Sequence, residues 1–230
     1  MRRLDQLLSA LGYGSRKEAT ALCAAGRVQV AGAVVKDASQ RVEPAQVLLD
    51  GAPLEFPSGL LVVLHKPVGV VCSHDSREGP RVYDLLPPRW LLREPKVTTV
   101  GRLDKETSGV LLVTDQGPLV QRLTSPKRHV EKEYVATLDG DVTEAMVQAF
   151  ASGLELREDG APVKTLPATL VALGPGRARV TLHEGKYHQV RRMFAACGRH
   201  VVALERTRFG EWTLEGLAPG AWRAVPMPAP

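Results

Sequence analysis

The chain has few cysteines, no long apolar run and no metal or nucleotide signature, and each shortage closes off a class of protein. Its three cysteines, Cys23, Cys72 and Cys197, are isolated and odd in number. With no CxxC pair they argue against a disulfide framework or a cysteine-rich zinc site and fit a reducing cytoplasm. Nowhere do 18 apolar residues run together, so no membrane span is expected. Met1-Arg2-Arg3 meets Asp5 before an apolar stretch develops, so no signal peptide is expected either. The six histidines, His65, His74, His129, His183, His188 and His200, show neither an HExxH pattern nor another ligand spacing, so no metal site is expected. GxGxxG and phosphate-loop sequences are missing, which disfavours a nucleotide cofactor. Apart from the proline-rich tail Pro226 to Pro230, the chain holds no repeat or low-complexity tract.

What is present is ordinary globular composition, 44 % apolar and 24 % charged over 230 residues, enough for one domain and a smaller companion. The net charge of +5 is a mild basic excess that suggests a polyanionic partner. Arginine supplies 21 of the 30 basic residues, an excess that genomic codon bias also produces, so distribution tells more. From Lys186 to Arg208 the basic residues Lys186, Arg191, Arg192, Arg199, Arg206 and Arg208 face one acid, Glu205. That is a local electrostatic footprint.

The first sixty residues read as a separate module. Leu4, Leu7, Leu8 and Leu11 recur at helical spacing up to Gly12-Tyr13-Gly14. Ser15-Arg16-Lys17-Glu18 is a capping-box pattern for a second helix, with Gly26 at its end. The period then falls to two at Val28 and Val30, Val34, and Val47 and Leu49, which predicts short strands. Pro53 to Gly59 is rich in turn residues, and the division expected is a module at 1–56, a linker at 57–60 and a larger domain at 61–230.

In the larger domain, strands are expected at 60–64, 97–100, 110–114, 134–138, 165–173, 178–182, 201–204 and 212–214. Helices are expected at 118–123, at 143–150 closed by Gly153, and at 187–197 capped by Gly198. Strands outnumber helices and many connections are tight, which gives an α+β fold with a mixed, mainly antiparallel sheet.

Two segments stand out chemically. Gly101-Arg102-Leu103-Asp104 lies between two apolar strands, and a carboxylate there can act as nucleophile or base. An aspartate in a loop more often just caps a turn. Glu184 to Phe194 (EGKYHQVRRMF) sets Val190 and Phe194 on an apolar helix face, with His188, Arg191 and Arg192 elsewhere. Arg191 there meets a carboxylate or phosphate, or is a solvated surface residue.

Taken together, four segments resemble the pseudouridine synthases. GRLDKETSGVLLVTDQG (101–117) is similar to that family's signature loop, HKPVGVVCS (65–73) to its lysine-proline motif, EKEYVA (131–136) to its tyrosine motif, and EGKYHQVRRMF to its basic-helix motif. Many members carry Asn where this chain has His65. RLDQLLSALGYGSRKEATALCAAGRVQV (3–30) resembles the alpha-L (S4-type) RNA-binding domain. With YHQVRRMFAACGRHVVALERTRFG (187–210), it points to the RsuA-type branch; sister branches acting on large-subunit RNA usually read NRQVRR there. The resemblance implies isomerisation of one uridine of 16S ribosomal RNA, of the uridine 516 class, without cofactor or metal. It implies a cytoplasmic monomer working on ribosomal RNA or a small-subunit assembly intermediate.

The resemblance also assigns roles. Asp104 becomes the catalytic carboxylate, Arg191 the cation that keeps it ionised, and Tyr134 the ring that stacks on the base. Arg102 becomes a wedge, and Arg2, Arg3, Arg16, Lys17, Arg27, Lys66, Lys186, His188 and Arg192 become RNA contacts. Two rivals remain from other classes: a non-catalytic RNA-binding assembly protein, and an N-glycosidase using Glu106 beside Asp104.

Overall fold

The structure is a computed structural model that describes residues 1–158 and 161–228. The small module runs β1 (Arg2–Arg3), α1 (Leu4–Ala10), α2 (Arg16–Ala24), β2 (Val28–Val30), β3 (Ala33–Val34), β4 (Arg41–Val42), β5 (Val47–Leu49) and β6 (Ala52–Pro53). The leucines that set the helical period (Leu4, Leu7, Leu8 and Leu11) are buried together with Ala19, Cys23 and Val28. The capping box forms as the sequence predicts: the Ser15 hydroxyl accepts from Glu18 N, and the Glu18 carboxylate accepts from Ser15 N. The pairings of β1 with β4 and β5 with β6 were not expected, because two-residue strands carry no period.

The larger unit continues with β7 (Leu61–Lys66), β8 (Thr98–Thr99), β9 (Thr107–Thr114), α3 (Gly117–Thr124), β10 (Lys132–Leu138), α4 (Glu144–Ser152), β11 (Glu155–Glu158) and β12 (Ala161–Lys164). It ends with β13 (Thr169–Gly174), β14 (Arg177–Leu182), α5 (Gln189–Ala196), β15 (Val201–Phe209), β16 (Trp212–Thr213) and β17 (Trp222–Ala224). One mixed sheet organises it, in the order β13-β14-β10-β15-β9-β7-β17, with β16 on β15 and β8 on β9. Its pairings are antiparallel except that of β15 with β9, which is parallel. Flanked by β9 and β17, β7 is buried at every position, which is why it reads as a continuous apolar run rather than an alternation.

Several expected boundaries moved. β9 begins at Thr107, inside the stretch expected to be loop, because its first residues pair with β15. β15 runs to Phe209 rather than Leu204, carried on by its pairing with β10 across the polar residues Glu205 to Arg208. α5 starts at Gln189, since His188 takes a left-handed backbone (φ +48) that cannot belong to the helix. The hairpin β11–β12 and strand β17 were not expected at all. Of the proline-rich tail, residues 229 and 230 lie outside the described residues.

The stretch read as a linker is gripped on both sides. The buried Arg93 guanidinium donates to the carbonyls of Glu55 and Phe56 and pairs with Asp115, which in turn accepts from Leu60 N. The C-terminal carbonyls of α1, which a helix leaves unpaired, are taken up from the larger unit: Glu94 N donates to Ala10 O, and Arg89 donates to Leu11 O. Gly12 permits this docking, because a Cβ there would lie 2.5 Å from Arg89 O. Arg89 also covers the Tyr13 ring and pairs with Glu55.

Candidate active site

Asp104 sits on the turn between β8 and β9, and that turn is pinned from several directions. Lys66, with none of its surface exposed, donates its ammonium to Thr107 O (2.8 Å), Pro67 O (3.0 Å) and Lys105 O (3.3 Å). Gly69 N also donates to Lys105 O, Leu103 N to Cys72 Sγ, and Thr107 N to Asp104 O. Burial pulls the Lys66 amine below its ordinary range, opposed by Cys72, Asp104 and Glu106. Burial pushes the Cys72 thiol up. The lysine-proline segment therefore acts as a clamp beneath the loop. Lys66, expected to reach RNA, instead lies in the interior, where its ammonium serves the buried Thr107 carbonyl and the part-buried carbonyls of Pro67 and Lys105.

The loop forms one wall of a cavity of about 470 Å³ whose lining includes Arg102, Asp104, Thr107, Lys132, Tyr134, Lys186, His188, Arg191 and Arg206. Three residues from separate sequence motifs, Asp104, Tyr134 and Arg191, thus share one cavity. Tyr134 is delivered by β10 and nearly buried. The Arg191 guanidinium forks onto two backbone carbonyls, Val201 O and Glu106 O, each at 2.9 Å. It holds the far side of the Asp104 loop rather than the carboxylate itself, which differs from the expected pairing. The side chain that meets the carboxylate is His188, whose Nε2 lies 3.4 Å from Asp104 Oδ1. The left-handed backbone that excludes His188 from α5 aims its ring there, stacked on Tyr187 at 3.9 Å.

The remaining expected contacts divide. Arg102 is exposed and lines the cavity. Lys186 pairs with Glu184 at 3.1 Å, and Arg192 donates to Tyr187 O and Arg157 O. In the small module Arg3 and Arg16 converge on the buried Asp5, at 3.1 and 2.7 Å, and hold its carboxyl far below the usual range, Arg3 most strongly. Arg27 is engaged by Asp50, whereas Arg2 and Lys17 are exposed.

Sequence reasoning missed three polar groups in the cavity wall. Lys132 donates to Val130 O, and burial first, then the charge of Arg206, brings it down to about 8. Thr107 was read as loop. Arg206 was counted only as one of a run of bases, yet it is 2 % exposed, with Nε donating to Val110 O at 2.9 Å. No local signal marked it, because the expected strand stopped at Leu204 and the pairing that carries it on is with distant strands. Among the described residues no group of three or more His, Cys, Asp or Glu side chains is placed to hold a metal ion, and no helix is long and apolar enough to cross a membrane.

The RNA pseudouridylate synthase model matches residues 60–196, and the S4 domain model matches residues 2–48. The chain is 40 % identical over 228 residues to ribosomal small subunit pseudouridine synthase A of Escherichia coli K12, covering 97 % of this chain and 96 % of that protein. The Yersinia pestis protein of the same name is 40 % identical over 229 residues, covering 97 % and 94 %. A crystal structure of a pseudouridylate synthase superimposes with a TM-score of 0.67 at 35 % identity, covering 98 % of this chain and 96 % of that one. On these matches the chain belongs to the RNA pseudouridylate synthase family, with an S4 domain in its N-terminal part.

Proposed function

We propose that this protein converts one uridine of small-subunit ribosomal RNA, of the uridine 516 class, to pseudouridine, with Asp104 as the nucleophile. The observation that carries the reading is the convergence of Asp104, Tyr134 and Arg191 on one cavity. Full-length relatives named for the small subunit support the choice of RNA.

The reaction breaks the bond from the sugar to N1 of uracil and makes one to C5. The C5 proton leaves and N1 gains one, so the balance needs no oxidant or energy source. Asp104, ionised, attacks the sugar or the base and holds the two halves while the ring turns. Tyr134 stacks on the uracil. Arg191 and Lys66 fix the loop so that the carboxylate keeps its aim, and the His188 ring lies against it. A uridine within folded RNA must first leave its stack, at a cost of roughly a few kcal/mol, and Arg102 fills the space it vacates. Residues 1–56 anchor the RNA and residues 61–230 do the chemistry. The protein works as a monomer in the cytoplasm, on free RNA or an assembly intermediate.

Incubation of the purified protein with both ribosomal RNAs, followed by mapping of pseudouridine, tests the reading. One new pseudouridine in the small-subunit RNA is expected, and none with Asp104→Asn, which keeps its fold. Product confined to large-subunit RNA would refute the choice of substrate. Full turnover by Asp104→Asn would refute the nucleophile, and free uracil would mean glycosidic cleavage.

A further inference from the structure

Among the described residues three buried side-chain polar atoms have no hydrogen-bond partner: Thr107 Oγ1, Arg206 Nη2 and Arg223 Nε. Two of the three belong to residues in the wall of the Asp104 cavity. Buried polar groups in folded proteins are almost always paired, so two orphans on residues that line one cavity call for a partner, whether a water or a group that enters the cavity.

Strand register brings them together. Leu204 is paired with Thr107 and Arg206 with Gly109 across the parallel β9–β15 contact, so Thr107 and Arg206 rise on the same face of neighbouring strands. Gly109 makes this approach possible, since a Cβ there would stand 2.2 Å from Arg206 O. On its other side Arg206 is paired with Tyr134. The register then slips, so that Glu133 faces Arg208 and Lys132 faces Phe209, leaving Thr207 as the extra residue of a bulge. That slip returns Phe209 to the face of Arg206, where its ring lies 4.9 Å from the guanidinium carbon. With Nε on Val110 O and the ring beside it, the guanidinium is held in one orientation and Nη2 is left over.

We infer that Thr107 and Arg206 read the hydrogen-bonding edge of the target base and so select uracil over cytosine. This inference rests on the proposed activity and deepens it. Uracil presents an acceptor, a donor and an acceptor: O2, N3–H and O4. A guanidinium N–H donates only, and so meets a carbonyl oxygen; the hydroxyl of Thr107 accepts from N3–H. Discrimination therefore falls to Arg206 placed against O4: cytosine carries an amino group there and sets donor against donor, whereas the Thr107 hydroxyl can turn to serve either N3–H or a bare N3. Tyr134, opposite Arg206 on the adjacent strand, supplies the flat surface while this pair supplies the edge. Both are positioning and specificity residues rather than groups that make or break a bond.

The test uses the full chain and the ribosomal RNA fragment identified by mapping, carrying uridine, 2-thiouridine or 4-thiouridine at the target. Turnover is followed as tritium release from C5. Sulfur is a poor acceptor, so wild-type kcat/KM should fall about tenfold for 4-thiouridine and little for 2-thiouridine; the reverse order would put the guanidinium on O2, which cytosine shares, and overturn the selection. In Thr107→Val, which keeps the shape, and in Arg206→Lys, which keeps the charge, uridine turnover should fall and the uridine-to-thiouridine ratio should shrink toward one. A wild-type enzyme that treats all three bases alike would overturn the inference. So would variants that lose activity equally on every substrate with the ratio intact, the result expected of a purely structural or phosphate-binding role. Absence of tritium release from uridine by the wild type would instead refute the proposed activity itself.

Discussion

Lys66→Met separates a clamp from an RNA contact. The substitution keeps the length and bulk of the side chain and removes the ammonium that three carbonyls share. The contacts at 2.8 and 3.0 Å are full hydrogen bonds to a charged donor, each worth about 1.5–3 kcal/mol; the third, at 3.3 Å, is long, and its carbonyl keeps Gly69 N. Against that gross loss stands the cost of burying an ammonium, visible in the lowered pKa of Lys66, which methionine does not incur. The net loss should be about 2–4 kcal/mol, a sizeable share of the roughly 5–15 kcal/mol that holds a domain together. Urea unfolding should show a lower midpoint with an unchanged slope, and kcat should drop as the Asp104 loop loosens, while RNA affinity and its salt dependence stay as they were. A loss of unfolding free energy below about 0.5 kcal/mol together with a shallower salt dependence would refute the clamp and restore Lys66 to the RNA-facing set.

The Asp5 carboxyl is lowered by Arg3 and Arg16, so the folded state gains from its ionisation above the ordinary carboxylate range and loses that gain as pH falls through the folded value. Asp5→Asn should therefore lower the melting temperature by about 2–4 °C at neutral pH and flatten its decline in acid, as calorimetry would show. For Lys132 the slope has the same sign in a higher window: folding lowers it to about 8 from 10.5, so the unfolded chain binds more protons between those values and stability rises with pH through that range. RNA affinity should fall over the same range as the cavity loses a cation, and a titration with Lys132→Met should remove that dependence. Replacing exposed Arg2 and Lys17 together by Gln should reduce the slope of log affinity against log salt by about 1.4–1.8, whereas Arg27→Gln, already held by Asp50, should change it less.

The parts of the fold written in short-range pattern were legible in the sequence. The leucine period of α1, the Ser15–Glu18 box and the Gly153 stop of α4 are each decided by residues within a few positions of one another. What escaped was decided by distant partners. Nothing near Glu205, Arg206, Thr207 and Arg208 marks them as strand; β9 and β10, about seventy to a hundred residues away, make them so. The cavity was similarly half readable. Its carboxylate, tyrosine and arginine stand in recognisable motifs, but that Arg191 holds two carbonyls, that His188 rather than Arg191 faces Asp104, and that Lys66 points inward depend on where the chain returns. A charged residue looks the same in a sequence whether it serves solvent or a buried carbonyl.

Arg93 and Arg89 fasten the small module to the larger one through carbonyls, an ion pair and a ring. Such a joint gives the pair the properties of a set square rather than a flail. An RNA helix seated on one arm fixes the address at which the other arm must work, so the interval between grip and target becomes a measured quantity of the substrate. Lengthening the RNA between the two by even one nucleotide would then move the uridine out of register, where a slack tether would have absorbed the change.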